Sequence, residues 1–298
     1  MKKMLFVMNP YAGQRRANRY LADILSIFNR AGYRVESYMT GARGEATDIV
    51  RQYAPEMDLV ACCGGDGTFN ETVNGLLHGE VNIPVGYIPA GSTNDFAASL
   101  GLPTNILQAA ETVVTGEPSD LDVGKFGDRY FSYVASFGAF TRTSYATPQN
   151  VKNALGHVAY VLQGAKELFQ IPKEHVAFET DNGSFEGDYI FGAISNSTSV
   201  GGILTLDPNV VDMQDGKFEL MLIRPPKDAV ELMGCIQALT GQRYDTPMLT
   251  FCSASRLTVT ASPEMAWTLD GEKEEGHETV EVENLHRAIR LVQGGKRE

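Results

Sequence analysis

Residues 59–71, LVACCGGDGTFNE, decide the fold of the first half of the chain. An uncharged apolar run ends in glycines that surround Asp66, and a helix-compatible segment follows. In an open α/β sheet, ligands bind beyond the carboxyl ends of the strands, where glycines let backbone N–H groups approach a phosphate. An acid among these glycines would repel phosphate unless it held a cation or a metal-bound water. The segment therefore predicts a phosphate-binding turn with Asp66 in a magnesium network.

Strands and helices alternate on both sides of this segment. Residues 3–8, 34–40, 58–63 and 84–88 predict strands, and residues 45–53 and 68–77 predict helices. A further helix has Leu21, Ile24, Leu25 and Phe28 at helical spacing and stops at Gly32. Repeated units of this length predict a parallel sheet that is covered on both faces.

The pattern changes to hairpins beyond about residue 120. Residues 131–136, 176–180 and 218–223 predict strands, and Asn182-Gly183 favours a type I′ turn. Two helices are expected at 151–169 and 228–239. The apolar stripe of the first favours packing on the sheet over insertion into lipid. The second half is predicted to be mainly antiparallel β-sheet.

Two other turns contain the residues that a phosphate site requires. Residues 9–13, NPYAG, follow the first strand, and residues 91–95, GSTND, follow the fourth. Either turn alone is explained by ordinary turn chemistry. Three such turns at the same end of one sheet indicate a nucleotide site. The P-loop and dinucleotide-binding patterns are absent from the sequence.

Charge and composition limit the range of functions. The net charge of −12 argues against nucleic-acid binding, which needs clustered Lys and Arg. Residues 1–53 contain nine Lys or Arg and four Asp or Glu, a charge of +5, which leaves −17 on the remainder. This positive lobe suits a nucleotide or an anionic membrane, with solvated helix faces as the alternative. The four cysteines lack metal-binding spacing and predict reduced thiols in the cytosol. No apolar run approaches the ~18 residues of a membrane span, so membrane contact should be peripheral.

The three turns together resemble the diacylglycerol kinase catalytic-domain family, which includes sphingosine and ceramide kinases. The resemblance covers nearly the whole chain. It implies an NAD-kinase/phosphofructokinase-like α/β domain at 1–123, joined by a C-terminal strand within 288–298, and a mainly antiparallel β-sandwich at 124–287 that binds the lipid. Asn70-Glu71 after the Gly-Gly-Asp core, with the flanking turns, points to a lipid kinase rather than an NAD kinase.

The resemblance also implies which residues bind the nucleotide. They are Asn9, Pro10, Tyr11, Ala12, Gly13, Thr40, Gly65, Asp66, Gly67, Thr68, Phe69, Asn70, Glu71 and Ser92. Two positions depart from the family pattern. Gln14 stands where relatives often have Lys, with Arg15 and Arg16 beyond it, and Glu45 stands where many have His. The first departure leaves open which cation meets the phosphates.

A second acidic cluster lies at residues 269–272, LDGE. By composition alone, Asp270-Gly271 is a hairpin turn. The resemblance implies instead that this turn comes from the second domain and faces the Gly-Gly-Asp loop across a cleft. Phosphoryl transfer to an alcohol requires a base for the hydroxyl proton. Glu272 is the first choice for that base and Asp270 is the alternative, while Asp66 belongs to the magnesium network.

Residues 212–217, DMQDGK, resemble a structural magnesium site of the bacterial members of the family. The ligands implied are the Asp215 side chain and the backbone carbonyls of Asp212 and Lys217. A solvated Asp-rich turn is the alternative.

The function predicted from these observations is a cytoplasmic, ATP- and Mg²⁺-dependent lipid kinase. It would phosphorylate diacylglycerol or a related lipid to phosphatidic acid while in peripheral contact with an anionic inner membrane face. The alternatives are a kinase for a soluble acceptor such as NAD and a non-catalytic nucleotide-sensing module. The sequence leaves open whether the chain forms a homodimer.

Overall fold

A computed structural model describes residues 1–138, 172–200 and 204–294. The chain divides into two compact units, and each is described by itself. The first comprises Met1–Val123 with the C-terminal residues from His286 onward, and the second is Gly124–Leu285. The predicted helix at 151–169 lies outside the described residues.

The first unit is built on a parallel sheet of β1 (Lys2–Met8), β2 (Tyr33–Met39), β3 (Leu59–Gly64) and β4 (Pro84–Pro89). The strands lie in the order β2-β1-β3-β4. Its α-helices are α1 (Leu21–Arg30), α2 (Glu45–Tyr53), α3 (Asp66–His78), α4 (Asp95–Ser99) and α5 (Ile106–Thr115). Two 3-10 helices lie at Ala12–Tyr20 and Ala54–Glu56.

The hydrophobic pattern explains this arrangement. All six residues of β3 are buried, as expected for a central strand that is covered on both faces. On α1, Ile24 and Phe28 are buried, and Phe28 meets Phe6 of β1 edge to face at 5.6 Å between ring centroids. Full burial of side chains of this size contributes about 1.5–3 kcal/mol each. The predicted parallel α/β sheet is confirmed.

The second unit consists of antiparallel β-sheet and one described α-helix, α6 (Ala229–Thr240). A six-stranded sheet has the order β14-β13-β10-β7-β16-β17, and further strands pair in the order β18-β15-β8-β9. Strand β5 (Glu117–Phe126) runs from the first unit into the second. The following strands up to β12 are β6 (Arg129–Phe131), β7 (Val134–Gly138), β8 (Glu174–Thr180), β9 (Gly183–Tyr189), β10 (Phe191–Ser195), β11 (Ser199–Val200) and β12 (Leu204–Thr205). The others are β13 (Phe218–Ile223), β14 (Leu249–Ala254), β15 (Arg256–Ala261), β16 (Trp267–Leu269), β17 (Glu272–Glu274) and β18 (Thr279–Gln293).

Strand β18 contributes to both units. Its first half pairs antiparallel with β15 in the second unit, and near its end Arg290 and Leu291 pair parallel with β4 in the first. Arg287, with a positive φ of 52°, lies between the two halves. Its backbone N–H donates to the buried Asp122 carboxylate at 2.7 Å.

Two local predictions for the second unit are wrong. The strand expected at 131–136 is interrupted. The backbone N–H groups of Ser132 and Tyr133 donate to the carboxylate of Asp270 and not to a neighbouring strand. Asn182 does not have the positive φ of a type I′ turn, and Gly183 already pairs with Thr180. The Asn182 side chain donates to the carbonyl of Ser253, so a distant contact fixes this loop.

Candidate active site

The three glycine-containing turns of the first unit pack backbone against backbone. A Cβ on Gly13 would lie 2.0 Å from the carbonyl oxygen of Ala90, and Gly13 has a positive φ of 49°. A Cβ on Gly91 would lie 2.6 Å from the Cα of Gly65. Only glycine permits these approaches. The structure therefore brings together the turns that the sequence placed at the carboxyl ends of three strands.

Asn9 links the first turn to the Gly-Gly-Asp turn. Its Nδ2 donates to Thr68 Oγ1 at 3.4 Å, and its Oδ1 accepts from the backbone N–H of Tyr11 at 2.9 Å. Thr40 is buried at the end of β2 and donates its N–H to the carbonyl of Met8 at 2.9 Å. Ser92 is exposed in the third turn.

Asp66 is the first residue of α3, and its carboxylate accepts hydrogen bonds from neighbouring elements. The N–H of Asp95 donates to Oδ2 at 2.9 Å, and the Tyr87 hydroxyl donates to Oδ1 at 3.3 Å. These bonds fix the carboxylate at the meeting point of the turns. An anion at the positive end of a 13-residue helix is also stabilised by the helix dipole.

Asp95 is an acidic residue of this site that the sequence analysis did not single out. It is half-buried beside Asp66, and burial raises the pKa of its carboxyl. The preceding residue, Asn94, has a positive φ of 53°, and its Oδ1 accepts the N–H of Gly91. The sequence feature that could have identified Asp95 is its position at the end of the third turn, residues 91–95. Carboxylate oxygens are ligands that Mg²⁺ prefers, and the Asp66 carboxylate is held at this place by the Asp95 backbone.

Three predicted nucleotide-site side chains are committed to interactions within the protein. Phe69 is fully buried and packs between the rings of Tyr87 and Phe96. Asn70 accepts hydrogen bonds from Asn74. The Glu71 carboxylate accepts the N–H groups of two residues at the start of α2, Gly44 at 2.8 Å and Ala46 at 3.2 Å. These side chains hold the turn and the loop before α2 in place.

Arg15 provides a cation beside the first turn. Its guanidinium lies over the ring of Tyr11, 5.1 Å from the centroid, and its φ is +63°. Cation–π contact holds an exposed arginine in a limited set of positions. Arg15 forms no ion pair with any acid in the part of the chain that the structure describes.

The distal acidic turn belongs to the second unit. Asp270 and Gly271 have φ values of +49° and +84° and connect β16 to β17 as a type I′ turn. Asp270 is only 4% exposed, and its carboxylate accepts the N–H groups of Ser132, Tyr133 and Val134, the last two at 3.0 Å. Both oxygens of this carboxylate therefore accept backbone hydrogen bonds. Glu272 begins β17 and is half-buried.

The Asp-rich turn before β13 carries the residues predicted to bind a structural magnesium. Asp212 Oδ1 and Asp215 Oδ1 accept the N–H groups of Gln214 and Lys217, both at 2.9 Å. The carbonyl oxygen of Lys217 accepts from Asn284 Nδ2 at 2.9 Å.

A buried acidic residue, Glu219, lies within reach of the charge of this turn. Glu219 is 3% exposed, and its pKa is raised to about 8, first by burial and then by the charge of Asp215. The oxygen donors fit magnesium in kind. The described residues contain no group of three His, Cys, Asp or Glu side chains close enough to hold a metal.

In the described part of the chain, no helix is long and apolar enough to span a bilayer.

Comparison with known proteins assigns both units. Residues 3–126 match the diacylglycerol kinase catalytic domain, and residues 134–293 match the YegS C-terminal NAD kinase beta sandwich-like domain. The chain is 35% identical to the diacylglycerol kinase of Bacillus subtilis, over 98% of this chain and 96% of that one. It is 32% identical to a diacylglycerol kinase of Staphylococcus epidermidis, over 91% and 86%.

A solved structure supports the fold. A diacylglycerol kinase from Bacillus anthracis superimposes with a TM-score of 0.75 at 23% identity, covering 98% of this chain and 97% of that one. Together with the site, these matches define an enzyme of the lipid kinase class. The chain belongs to the diacylglycerol kinase family, and the resemblance inferred from its motifs is confirmed.

Proposed function

We propose that this enzyme transfers the γ-phosphoryl group of ATP to the free hydroxyl of diacylglycerol and so forms phosphatidic acid. The observation that carries the proposal is the convergence of three backbone-packed turns on Asp66 in a member of the diacylglycerol kinase family. Glycine turns at strand ends are suited to phosphate, and an acid among them is suited to its metal ion. The names of the relatives supply the acceptor.

The residues of the first unit have distinct roles in this proposal. The turns at 9–13, 65–71 and 91–95 bind the nucleotide phosphates, and Arg15 supplies the cation that Gln14 does not. Asp66 would hold Mg²⁺ through water, and the backbone N–H of Asp95 fixes its carboxylate. Bound there, the ion would neutralise charge that develops on the transferring phosphoryl group.

Glu272 is proposed as the base that accepts the proton of the lipid hydroxyl, and Asp270 as a positioning residue. The three N–H donors on Asp270 support this division, because they occupy the oxygens with which it would take a proton. They also tie the type I′ turn to the segment between β6 and β7. That anchorage fixes where Glu272, two residues later, begins its strand.

The proposal includes a structural magnesium bound by Asp215 with the carbonyls of Asp212 and Lys217. A metal that binds only the folded state stabilises it by mass action. Wild-type protein should therefore melt at a higher temperature in magnesium than in chelator, and Asp215→Ala should lose that increment. Asp128→Ala, which removes an exposed acid from another turn, should keep it. Identical melting curves for wild type and Asp215→Ala under both conditions would remove this site from the proposal.

The proposed place of action is the cytoplasmic face of an anionic membrane. All four cysteines are free thiols, which is usual in the cytosol. The charge of +5 on residues 1–53 suits attraction to anionic lipid, at ~1 kcal/mol for each basic residue near the surface. This attraction fades over ~8 Å at physiological salt.

The assay that tests the function presents diacylglycerol in vesicles with and without phosphatidylglycerol, across a salt series. We expect phosphorylation that increases with anionic lipid and declines with salt. A parallel reaction offers NAD as the acceptor and should give no product. Rapid phosphorylation of NAD with inert lipid would overturn the proposal in favour of a soluble acceptor. Absence of transfer to either acceptor would favour a nucleotide-sensing module.

A further inference from the structure

Helix α6 of the second unit carries a single charged residue, Glu231, in its sequence AVELMGCIQALT. One face is buried and consists of Leu232, Cys235, Ala238 and Leu239. A helix that borders water normally has charged and polar residues on its other face.

The outer face of α6 is uncharged and partly apolar. Val230 is 81% exposed and Met233 is 46% exposed, and among the large hydrophobic side chains of the described residues only Met1 and Tyr11 also exceed 45%. Gly234 and Gln237 continue the same face by one further turn and are also exposed. Val230 and Met233 are three residues apart on the helix, so their side chains are neighbours and form one small apolar patch.

Basic residues lie in the chain segments just before and just after this helix. Lys227 and Arg243 are exposed, and neither forms an ion pair with an acidic side chain of the described residues. The acids at the helix start face the backbone instead. Asp228 Oδ1 accepts the N–H of Glu231 at 2.8 Å, and Glu231 Oε2 accepts the N–H of Lys227 at 2.6 Å. Lys227 is therefore an exposed cation just before the helix, while the carboxylates of Asp228 and Glu231 accept backbone N–H groups.

The exposed area favours a bilayer over a second copy of the chain. Val230 and Met233 together expose on the order of 200 Å² of apolar surface. A stable dimer buries roughly 800 Å² on each partner. Shallow insertion of two side chains between lipid headgroups, with a cation at each end of the helix near the phosphates, needs no larger area.

We propose that the outer face of α6, with Lys227 and Arg243, is a docking surface for a phospholipid bilayer. The proposal rests on the proposed function for the identity of the partner, since an enzyme that phosphorylates a membrane lipid must meet that membrane. Val230 and Met233 enter the headgroup region, and the two cations contact lipid phosphates. Docking is shallow and reversible.

The first test measures binding to sucrose-loaded vesicles of phosphatidylcholine and phosphatidylglycerol by sedimentation. Replacement of both apolar residues, Val230→Glu with Met233→Glu, should weaken partitioning at least about tenfold, because buried side chains of this size contribute on that scale. The matched control adds the same charge to exposed positions of α5, Gln108→Glu with Thr115→Glu, and should bind as wild type does. The Val230→Trp variant should bind vesicles more tightly than wild type. An increase of this kind cannot result from misfolding.

A second readout separates docking from catalysis. With a short-chain diacylglycerol dispersed as monomers, the Val230→Glu, Met233→Glu protein should match wild type, whereas its activity on vesicle-borne diacylglycerol should fall in parallel with binding. Equal vesicle binding by the two proteins, or a change confined to self-association in sedimentation velocity, would overturn the docking surface. Wild type that binds vesicles through α6 yet phosphorylates diacylglycerol in neither form would refute the proposed function and leave the docking surface standing.

Discussion

Asp66→Asn is expected to lower kcat by about 10³-fold or more while the protein remains folded. The amide has nearly the size of the carboxylate, and its oxygen can still accept the N–H of Asp95 or the hydroxyl of Tyr87. The substitution removes the negative charge with which, in the proposed function, Asp66 would hold Mg²⁺ at the meeting point of the three turns. The packing of Gly13 and Gly65 against the 90–91 turn does not depend on that charge.

The measurement is kcat at saturating ATP and magnesium, beside a thermal unfolding curve. Asp48→Asn serves as the matched control, because it makes the same chemical change on an exposed side chain of α2 in the same unit. That variant should keep wild-type turnover. If Asp66→Asn retains most of the wild-type kcat, the charge of Asp66 is dispensable and Asp66 does not belong to a magnesium network.

The first unit could be predicted from the sequence because its information is local. Buried parallel strands are continuous apolar runs, and β3 and β4 appear as such. Glycines at strand ends mark close backbone approach, as the contact between Gly65 and Gly91 illustrates. The helix predicted at 68–77 is α3, which begins two residues earlier at Asp66 because Gly65 is its N-cap.

The features that could not be predicted depend on distant pairs. Ser132 and Asp270 are 138 residues apart in the chain. No local sequence pattern therefore predicts that the Asp270 carboxylate interrupts the strand at Ser132. Asp270-Gly271 has the same local signal as Asn182-Gly183, yet only the former makes the type I′ turn. Asp95 escaped attention because, in a turn rich in polar residues, its position beside Asp66 becomes evident only in three dimensions.

Glu272→Gln is expected to lower kcat by about 10²-fold or more with little change in the KM for ATP. A residue that accepts a proton only as the hydroxyl reacts contributes to the transition state and not to nucleotide binding. Glutamine keeps the length of the side chain and the β16–β17 pairing, in which residue 272 faces Leu269. Glu275→Gln, a change of the same kind at an exposed position just beyond β17, should have no effect.

Asp270→Asn distinguishes a base from a positioning residue at the same turn. Asparagine tolerates the positive φ of 49°, but its NH₂ group must face backbone N–H donors that the carboxylate now accepts. Loss of charge-assisted hydrogen bonds costs about 1.5–3 kcal/mol each, so the melting temperature should fall clearly. The melting temperature of Glu272→Gln should stay near that of wild type. Assigning the proton transfer to Asp270 instead would require the reverse result, in which Asp270→Asn melts normally and loses turnover while Glu272→Gln remains active.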